Sequence, residues 1–207
     1  MDIAKFKKLP VMGILRGTEE RQLEPILEAS IAGGLQTLEI TMNTPDAQNL
    51  IKKAAKFSKN RLAIGAGTVL SIDSMKTALK AGATFIVMPT LVRDVAQHCV
   101  KNHIPVFPGA LTPQEVYNAY CAGATMVKVF PAKVFGPEYF KELKGPFDNI
   151  ELLACGGVTT QNLKTYMVCG ASAVAFGNSV FKTEWLAKND FKSITESIKK
   201  FTRYFRN

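Results

Sequence analysis

The chain has 207 residues, of which 47% are hydrophobic and 21% are charged. This composition is that of an ordinary globular domain with a sizeable core, and it excludes disordered and collagen-like proteins. No run of about 18 apolar residues exists, and charges interrupt the first ten residues, so neither a membrane span nor a secretion signal is predicted. We therefore expect the protein in the cytoplasm.

The net charge of +9 raises the question of an anionic partner such as nucleic acid. Six of the nine surplus charges lie in the terminal segments 1–10 and 182–207. In the second segment, apolar residues recur at steps of three and four, which predicts an amphipathic helix with a basic outer face. They are Phe191, Ile194, Ile198, Phe201 and Phe205. Because aromatic and basic residues do not interleave as in nucleic-acid binding surfaces, we expect no nucleic-acid partner.

Short apolar runs alternate with helix-period patterns from the beginning of the chain to its end. The first connection, for example, carries Leu23, Ile26, Leu27 and Ile31 at helical spacing. Strands that alternate with helices predict parallel βαβ units. The predicted strands are residues 10–16, 35–41, 62–67, 84–89, 104–109, 125–131, 150–157 and 171–177.

The beginnings of the second, fourth, sixth and eighth strands resemble one another: "AGGLQTLEI", "AGATFIVM", "AGATMVKVF" and "CGASAVAF". In each, a glycine is predicted to end the preceding helix in a left-handed conformation. The glycines recur every 41 to 48 residues, which is two βα units. We therefore predict a single (β/α)8 TIM barrel over residues 1–207, with an N-terminal helical extension and a C-terminal amphipathic helix. The alternative, an open doubly wound sheet, is less favoured because the units are near-equal and no linker interrupts them.

Polar residues lie at or just after the carboxyl ends of the predicted strands. In a TIM barrel, the active site lies at this end of the strands. Arg16, Glu39 and Lys128 come from three different strands and are predicted to point to this same end. Thr41, Asn43 and Thr68 lie there too.

Lys128 interrupts the apolar strand "TMVKVFP". Burial and a nearby Arg16 would lower its pKa, and a neutral lysine amine is a nucleophile for ketones. Glu39 within reach would then move the protons that Schiff-base chemistry requires. The alternative is a buried ion pair between Lys128 and Glu39, which is costly unless its geometry is excellent.

The segments "CGGVTTQN" and "FGNSVF" follow the seventh and eighth strands. Consecutive glycines, Gly156 and Gly157, let backbone N–H groups approach an anion, and a short helix begun by Asn178 or Ser179 would add its N-terminus. We predict a phosphate site at these loops; the alternative is a pair of ordinary turns.

We expect no metal site, because His98 and His103 fall on a helical stretch and the turn after it. The four cysteines fall in apolar segments and are predicted to be buried, reduced thiols without disulfides. They are Cys99, Cys121, Cys155 and Cys169. Cys155 is well placed for the site but has no histidine at its end of the barrel.

The sequence resembles a known family over about residues 9 to 200. The family is the class I KDPG/KHG aldolases, which cleave 2-keto-3-deoxy-6-phosphogluconate, 4-hydroxy-2-oxoglutarate and related keto acids. The resemblance rests on the order and spacing of eight segments, none of which is specific alone. They are "PVMGILRG", "LEITMNTPDA", "IGAGTVL", "IVMPT", "IPVFPGALTPQE", "VKVFPAKVFGPEY", "ACGGVTTQN" and "FGNSVF".

This resemblance implies a Schiff base between Lys128 and the C2 carbonyl of a keto acid, with Glu39 as the proton carrier and no metal or other cofactor. The products would be pyruvate and glyceraldehyde 3-phosphate, as in the Entner–Doudoroff pathway, and the assembly a homotrimer. Substrate binding would involve Arg16, Thr68, Pro89 and Phe130, and phosphate binding Gly156, Gly157, Asn178 and Ser179.

Asn43 departs from many gluconate-type members, which carry an arginine there for the substrate carboxylate. Together with "ILRG" and "FGPEY", it is more similar to members that act on the 6-phosphogalactonate epimer, with carboxylate binding left mainly to Arg16. Two alternative functions stay open: a TIM-barrel sugar-phosphate isomerase with Glu39 as base, and a non-catalytic phosphate-ligand binding protein.

Overall fold

The structure is a computed structural model that describes residues 1–206, so Asn207 lies outside the described residues. Neighbouring strands pair in parallel throughout the sheet. The strands are β1 (Val11–Leu15), β2 (Thr37–Thr41), β3 (Ala63–Gly67), β4 (Ile86–Val87), β5 (Val106–Phe107), β6 (Gly109–Ala110), β7 (Val127–Val129), β8 (Leu152–Cys155) and β9 (Ala173–Phe176).

The order of the strands shows how the sheet closes. It runs β5-β4-β3-β2-β1-β9-β8-β7-β6, and its two outer members, β5 and β6, are consecutive in the chain with only Pro108 between them. Proline interrupts the ladder because it has no N–H group, yet its carbonyl still accepts a hydrogen bond from the Lys128 N–H at 2.9 Å. The predicted (β/α)8 barrel is thus confirmed, with its fifth strand split in two.

Helices connect the strands along the outside of the barrel. Their beginnings and ends follow local rules: α6 (Pro113–Cys121) begins with a capping box between Thr112 and Glu115 and has proline in its first turn. The others are α1 (Ile3–Lys8), α2 (Glu20–Ala32), α3 (Ala47–Ser58), α4 (Ile72–Lys80), α5 (Arg93–Lys101), α7 (Glu138–Lys144), α8 (Leu163–Val168), α9 (Thr183–Ala187) and α10 (Phe191–Arg203), with a short 3₁₀ helix at Ala132–Val134. Among the residues described, none of the helices has the length and apolar character needed to cross a membrane.

The glycines predicted to end alternate helices have the expected backbone. Gly34, Gly82, Gly123 and Gly170 follow α2, α4, α6 and α8 with φ between 80° and 106°. Residues with a side chain rarely adopt this backbone conformation, so glycine allows the chain to turn directly into the next strand. This part of the sequence prediction is confirmed.

The amino-terminal end of the barrel is filled by α1. The ring of Phe6 is 1% exposed and packs edge-on against Phe107 at 5.8 Å, and Phe107 packs in the same way against Phe85 at 6.0 Å. These rings occupy the interior beneath the carboxyl ends of the strands. A site built from the barrel interior therefore has to lie at the opposite, carboxyl end.

The cysteines only partly follow the prediction. Cys99, Cys155 and Cys169 are buried, whereas Cys121 is exposed because it is the last residue of α6 and faces outward. The prediction of a buried thiol was therefore wrong for Cys121. All four cysteines are free thiols in the structure.

Candidate active site

Lys128 lies at the centre of β7, where the alternation of the strand explains its position. Val127 and Val129 belong to the core between the sheet and the helices, whereas Met126 belongs to the cluster inside the barrel. Because alternate residues of a strand share a face, Lys128 faces the interior together with Met126. Its side chain is 6% exposed.

Glu39 faces the same interior from β2 and is 1% exposed. Its carboxylate fills the space above Gly67 on β3, where any side-chain carbon would collide with it. The Oε2 atom of Glu39 is buried and has no hydrogen-bond partner among residues 1–206. An unpaired buried acceptor is unfavourable, so an oxygen of this kind marks a place where a ligand or a proton can bind.

The charges of Glu39 and Lys128 influence each other without direct contact. Burial raises the pKa of the Glu39 carboxyl, and the positive charges of Lys128 and Arg16 only partly offset this. The ion pairs formed in the described chain involve other residues, so Lys128 and Glu39 are not joined within 4.0 Å. The predicted alternative, a buried ion pair, is therefore wrong.

The pKa of Lys128 is raised, whereas the sequence predicted that it would be lowered. Burial alone would lower it, as predicted, but the adjacent sulfur of Cys155 and the carboxylate of Glu39 outweigh burial and raise the pKa of Lys128. The expected effect of Arg16 is only the smallest of these influences. A raised pKa favours the ammonium form, so Lys128 needs a proton acceptor before it can act as a nucleophile.

Arg16 and Thr68 meet at the mouth of the barrel. A guanidinium nitrogen of Arg16, Nη2, donates to the hydroxyl of Thr68 at 3.5 Å. Thr68 has a φ of 55°, which is uncommon for a β-branched residue and is typical of functional sites. Asn43 is exposed in the loop that follows β2. Arg16 is also exposed, so its guanidinium is open to an anionic ligand.

Two half-buried residues lie near Lys128 or near the strand paired with it. The ring of Phe130 lies 5.3 Å from the Lys128 ammonium and also packs against Gly156. Pro89 follows β4, and its carbonyl lies directly against Gly109 of β6. Phe130 thus gives the space next to the ammonium an aromatic side, whereas Pro89 lies against β6, the strand that pairs with β7.

Within the predicted segments 155–162 and 176–181, the two glycine loops, residues 156–158 and 177–179, lie side by side. Gly156 and Gly157 have φ values of 92° and 86°, and the hydroxyl of Ser179 donates to the carbonyl of Val158 at 2.8 Å. The N–H groups of Gly156, Gly157 and Ser179 donate to no other described residue. Unused N–H groups on two adjoining loops are the donors that an anion needs.

The predicted helix N-terminus at the second glycine loop is wrong. Asn178 and Ser179 lie in a turn closed by a hydrogen bond from the Val180 N–H to the Gly177 carbonyl at 2.9 Å, and α9 begins only at Thr183. The Ser179 hydroxyl instead donates to the carbonyl of Val158 on the neighbouring loop.

Metal ligands are not gathered in the part of the chain that the structure describes: no group of three or more His, Cys, Asp and Glu residues could hold an ion. His98 lies within α5, and His103 follows that helix before β5 begins.

Comparison with known proteins decides the family. The model of the KDPG and KHG aldolase family matches residues 3–197. The chain belongs to this family. It is 32% identical to the 2-dehydro-3-deoxy-6-phosphogalactonate aldolase of Escherichia coli over 84% of this chain and 86% of that protein. It is 31% identical to the 2-dehydro-3-deoxy-phosphogluconate aldolase of Pseudomonas aeruginosa over 96% of this chain and 91% of that protein.

A solved aldolase structure is also similar. It is the KDPG aldolase of Legionella pneumophila with pyruvate captured at low pH as a covalent carbinolamine intermediate. The two chains share 27% identity and superpose with a TM-score of 0.88 over 96% of this chain and 97% of that one.

Two features of this KDPG/KHG aldolase family member escaped the sequence analysis. Cys155 lies beside Lys128 and affects its pKa, because Leu153 of β8 pairs with Lys128 in the sheet and Cys155, two residues further, shares the face of Leu153. The buried Thr44 accepts a hydrogen bond from the Gly17 N–H at 3.0 Å and joins the Thr41 hydroxyl, also at 3.0 Å. The position of Cys155 depends on the register between β7 and β8, which the structure reveals. For Thr44, the short spacing from Thr41 was the only signal in the sequence.

Proposed function

We propose that this protein is a class I aldolase that cleaves a 2-keto-3-deoxy-6-phospho sugar acid, of gluconate or galactonate type, to pyruvate and glyceraldehyde 3-phosphate. The observation that carries the proposal is the pair of Lys128 and Glu39 in the mouth of the barrel. One is a buried amine and the other a buried carboxylate with an unpaired oxygen. A carbon–carbon lyase of this kind needs a nucleophile for a ketone and a group that carries protons.

The reaction begins when Lys128 gives up a proton and its Nζ attacks C2 of the keto acid. Loss of water gives a protonated imine. Removal of the proton from the C4 hydroxyl then breaks the C3–C4 bond, whose electrons pass to the imine nitrogen and form an enamine while the aldehyde leaves. Protonation at C3 and hydrolysis release pyruvate and restore Lys128. The protonated imine is the electron sink, so the chemistry requires no metal.

Glu39 serves as the proton carrier during imine formation and at C3. Burial raises its pKa, so the carboxyl holds a proton more readily than an exposed glutamate does. Its unpaired Oε2 lies where no protein group competes for the proton.

The remaining groups bind the two anionic ends of the substrate. Arg16 and Thr68 receive the carboxylate, with Asn43 beside them, and Pro89 and Phe130 enclose the pyruvyl part. The phosphate binds at the two glycine loops, whose N–H groups have no other partner in the described chain. The residues assigned to it are Gly156, Gly157, Asn178 and Ser179.

We also propose that the protein is a cytoplasmic homotrimer without a nucleic-acid or membrane partner. Its reaction would belong to the Entner–Doudoroff pathway or to a parallel pathway. The exposed side chains of Val134 and Phe135, each 56% exposed near the mouth of the barrel, supply apolar surface for contact between copies. Light scattering at several protein concentrations measures the number of copies.

The function is tested by following pyruvate release from both epimers of the phosphorylated keto acid with a coupled dehydrogenase. We expect turnover of at least one epimer, together with a borohydride-stable pyruvate adduct. An isomerase would convert substrate without releasing pyruvate, and a binding protein would retain the ligand unchanged. Either result without any adduct contradicts the proposal.

Gly67→Ala tests whether the position of the Glu39 carboxylate matters. The added methyl group occupies the space of the carboxylate, so Glu39 has to move. Displacing a catalytic group by about 1 Å costs on the order of 10²-fold in rate, which is the loss we expect in kcat. Gly145→Ala is the matched control, because Gly145 has a negative φ and lies at the end of α7. Equal activity in the two variants, with unchanged circular dichroism, would show that catalysis does not depend on the position of the Glu39 carboxylate.

A further inference from the structure

Lys133 lies in the 3₁₀ helix after β7, directly against the first glycine loop. Its N–H donates to the carbonyl of Gly156 at 3.0 Å. Its aliphatic stem packs on Gly157, since a side-chain carbon placed there would lie 3.1 Å from Cδ and 3.2 Å from Cγ of Lys133. Both the backbone and the stem of this lysine are thus fixed next to the loop.

The ammonium of Lys133 has no acidic partner within the described chain. The ion pairs formed there involve other lysines and arginines, and the side chain is exposed. The groups that the proposed function assigns to the phosphate are all neutral: N–H groups, a hydroxyl and an amide. A phosphate ester carries a charge of about −1.5 to −2 near neutral pH, and lysine commonly binds it as a point charge.

We propose that Lys133 binds the phosphate of the substrate and sets the preference for phosphorylated over unphosphorylated substrates. The proposal rests on the proposed function and extends its phosphate site by one positively charged residue. The stem packs on Gly157, which leaves the ammonium within reach of a phosphate on the loop. In this arrangement the neutral N–H groups give the phosphate its position and Lys133 neutralises its charge.

The test uses the reverse reaction, in which pyruvate adds to glyceraldehyde 3-phosphate or to glyceraldehyde. Lys133→Met keeps a stem over Gly157 and removes the charge. We expect the ratio of kcat/KM for the phosphorylated over the unphosphorylated aldehyde to fall roughly tenfold, the scale of one hydrogen bond to a charged group. The change lies in KM for the phosphorylated aldehyde, while kcat and trapping of pyruvate by borohydride stay unchanged. Lys133→Arg restores the ratio.

Lys101→Ala is the control for loss of one positive charge, because Lys101 is exposed at the far end of α5. An unchanged ratio in Lys133→Met overturns the role of Lys133, as does an equal loss with both aldehydes. Wild-type protein that forms neither a pyruvate adduct nor a product contradicts the proposed function itself and this inference with it. The two failures are therefore distinguishable.

Discussion

Replacing Lys128 with alanine is expected to abolish carbon–carbon cleavage and leave the barrel folded. The variant loses the only buried lysine among the residues described. Removal of a covalent nucleophile commonly costs on the order of 10⁶-fold in kcat, which here means activity below detection. The fold survives because Lys128 makes no ion pair in the described chain and its strand neighbours Val127 and Val129 stay buried.

The measurement is borohydride reduction in the presence of pyruvate, followed by intact mass and peptide mapping. Wild-type protein is expected to gain one reduced pyruvyl group on Lys128, and Lys128→Ala none. Lys101→Ala, which removes an exposed lysine instead, retains both the adduct and the turnover. A folded Lys128→Ala variant that still cleaves substrate, or an adduct on another lysine, would contradict the Schiff-base role of Lys128.

Much of the fold could be predicted because its signals are local. The alternation of Met126, Val127, Lys128 and Val129 indicates a strand with an inner and an outer face, and glycines such as Gly82 mark the turns between helix and strand. The break at Pro108 is the main difference, although the proline itself was visible. It stands inside a predicted strand, and only the closed sheet shows that each half pairs with a different neighbour.

The site was less predictable where it depends on distant contacts. The local pattern at Asn178 and Ser179 favours a helix N-terminus, but the Ser179 hydroxyl is bonded to Val158, which lies 21 residues earlier in the chain. Likewise, the raised pKa of Lys128 depends on Cys155, whose proximity follows from the register of β7 and β8. The roles of the individual site residues stay predictions until variants are measured.

Replacing Glu39 with glutamine is expected to slow imine formation by roughly 10²-fold or more, the usual scale of general acid–base catalysis. Glutamine has nearly the same shape, so the packing against Gly67 is retained while the proton-carrying group is lost. Quenching a mixture of protein and pyruvate with borohydride at increasing times measures the rate. Glu28→Gln, on the exposed face of α2, is the control for loss of one negative charge.

Whether imine formation becomes slower or faster in Glu39→Gln separates two roles of Glu39. Loss of a proton carrier slows the reaction, whereas loss of the negative charge beside Lys128 speeds it. The carboxylate is one of the groups that raise the pKa of Lys128. Without it that pKa falls, a larger fraction of Lys128 is the free amine below the former pKa, and imine formation would become faster at neutral pH. In wild-type protein, imine formation is expected to accelerate as the pH rises, because the ammonium loses its proton. A variant that is as fast as wild type or faster would leave Glu39 only an electrostatic role, whereas a slower variant requires that Glu39 carries the proton.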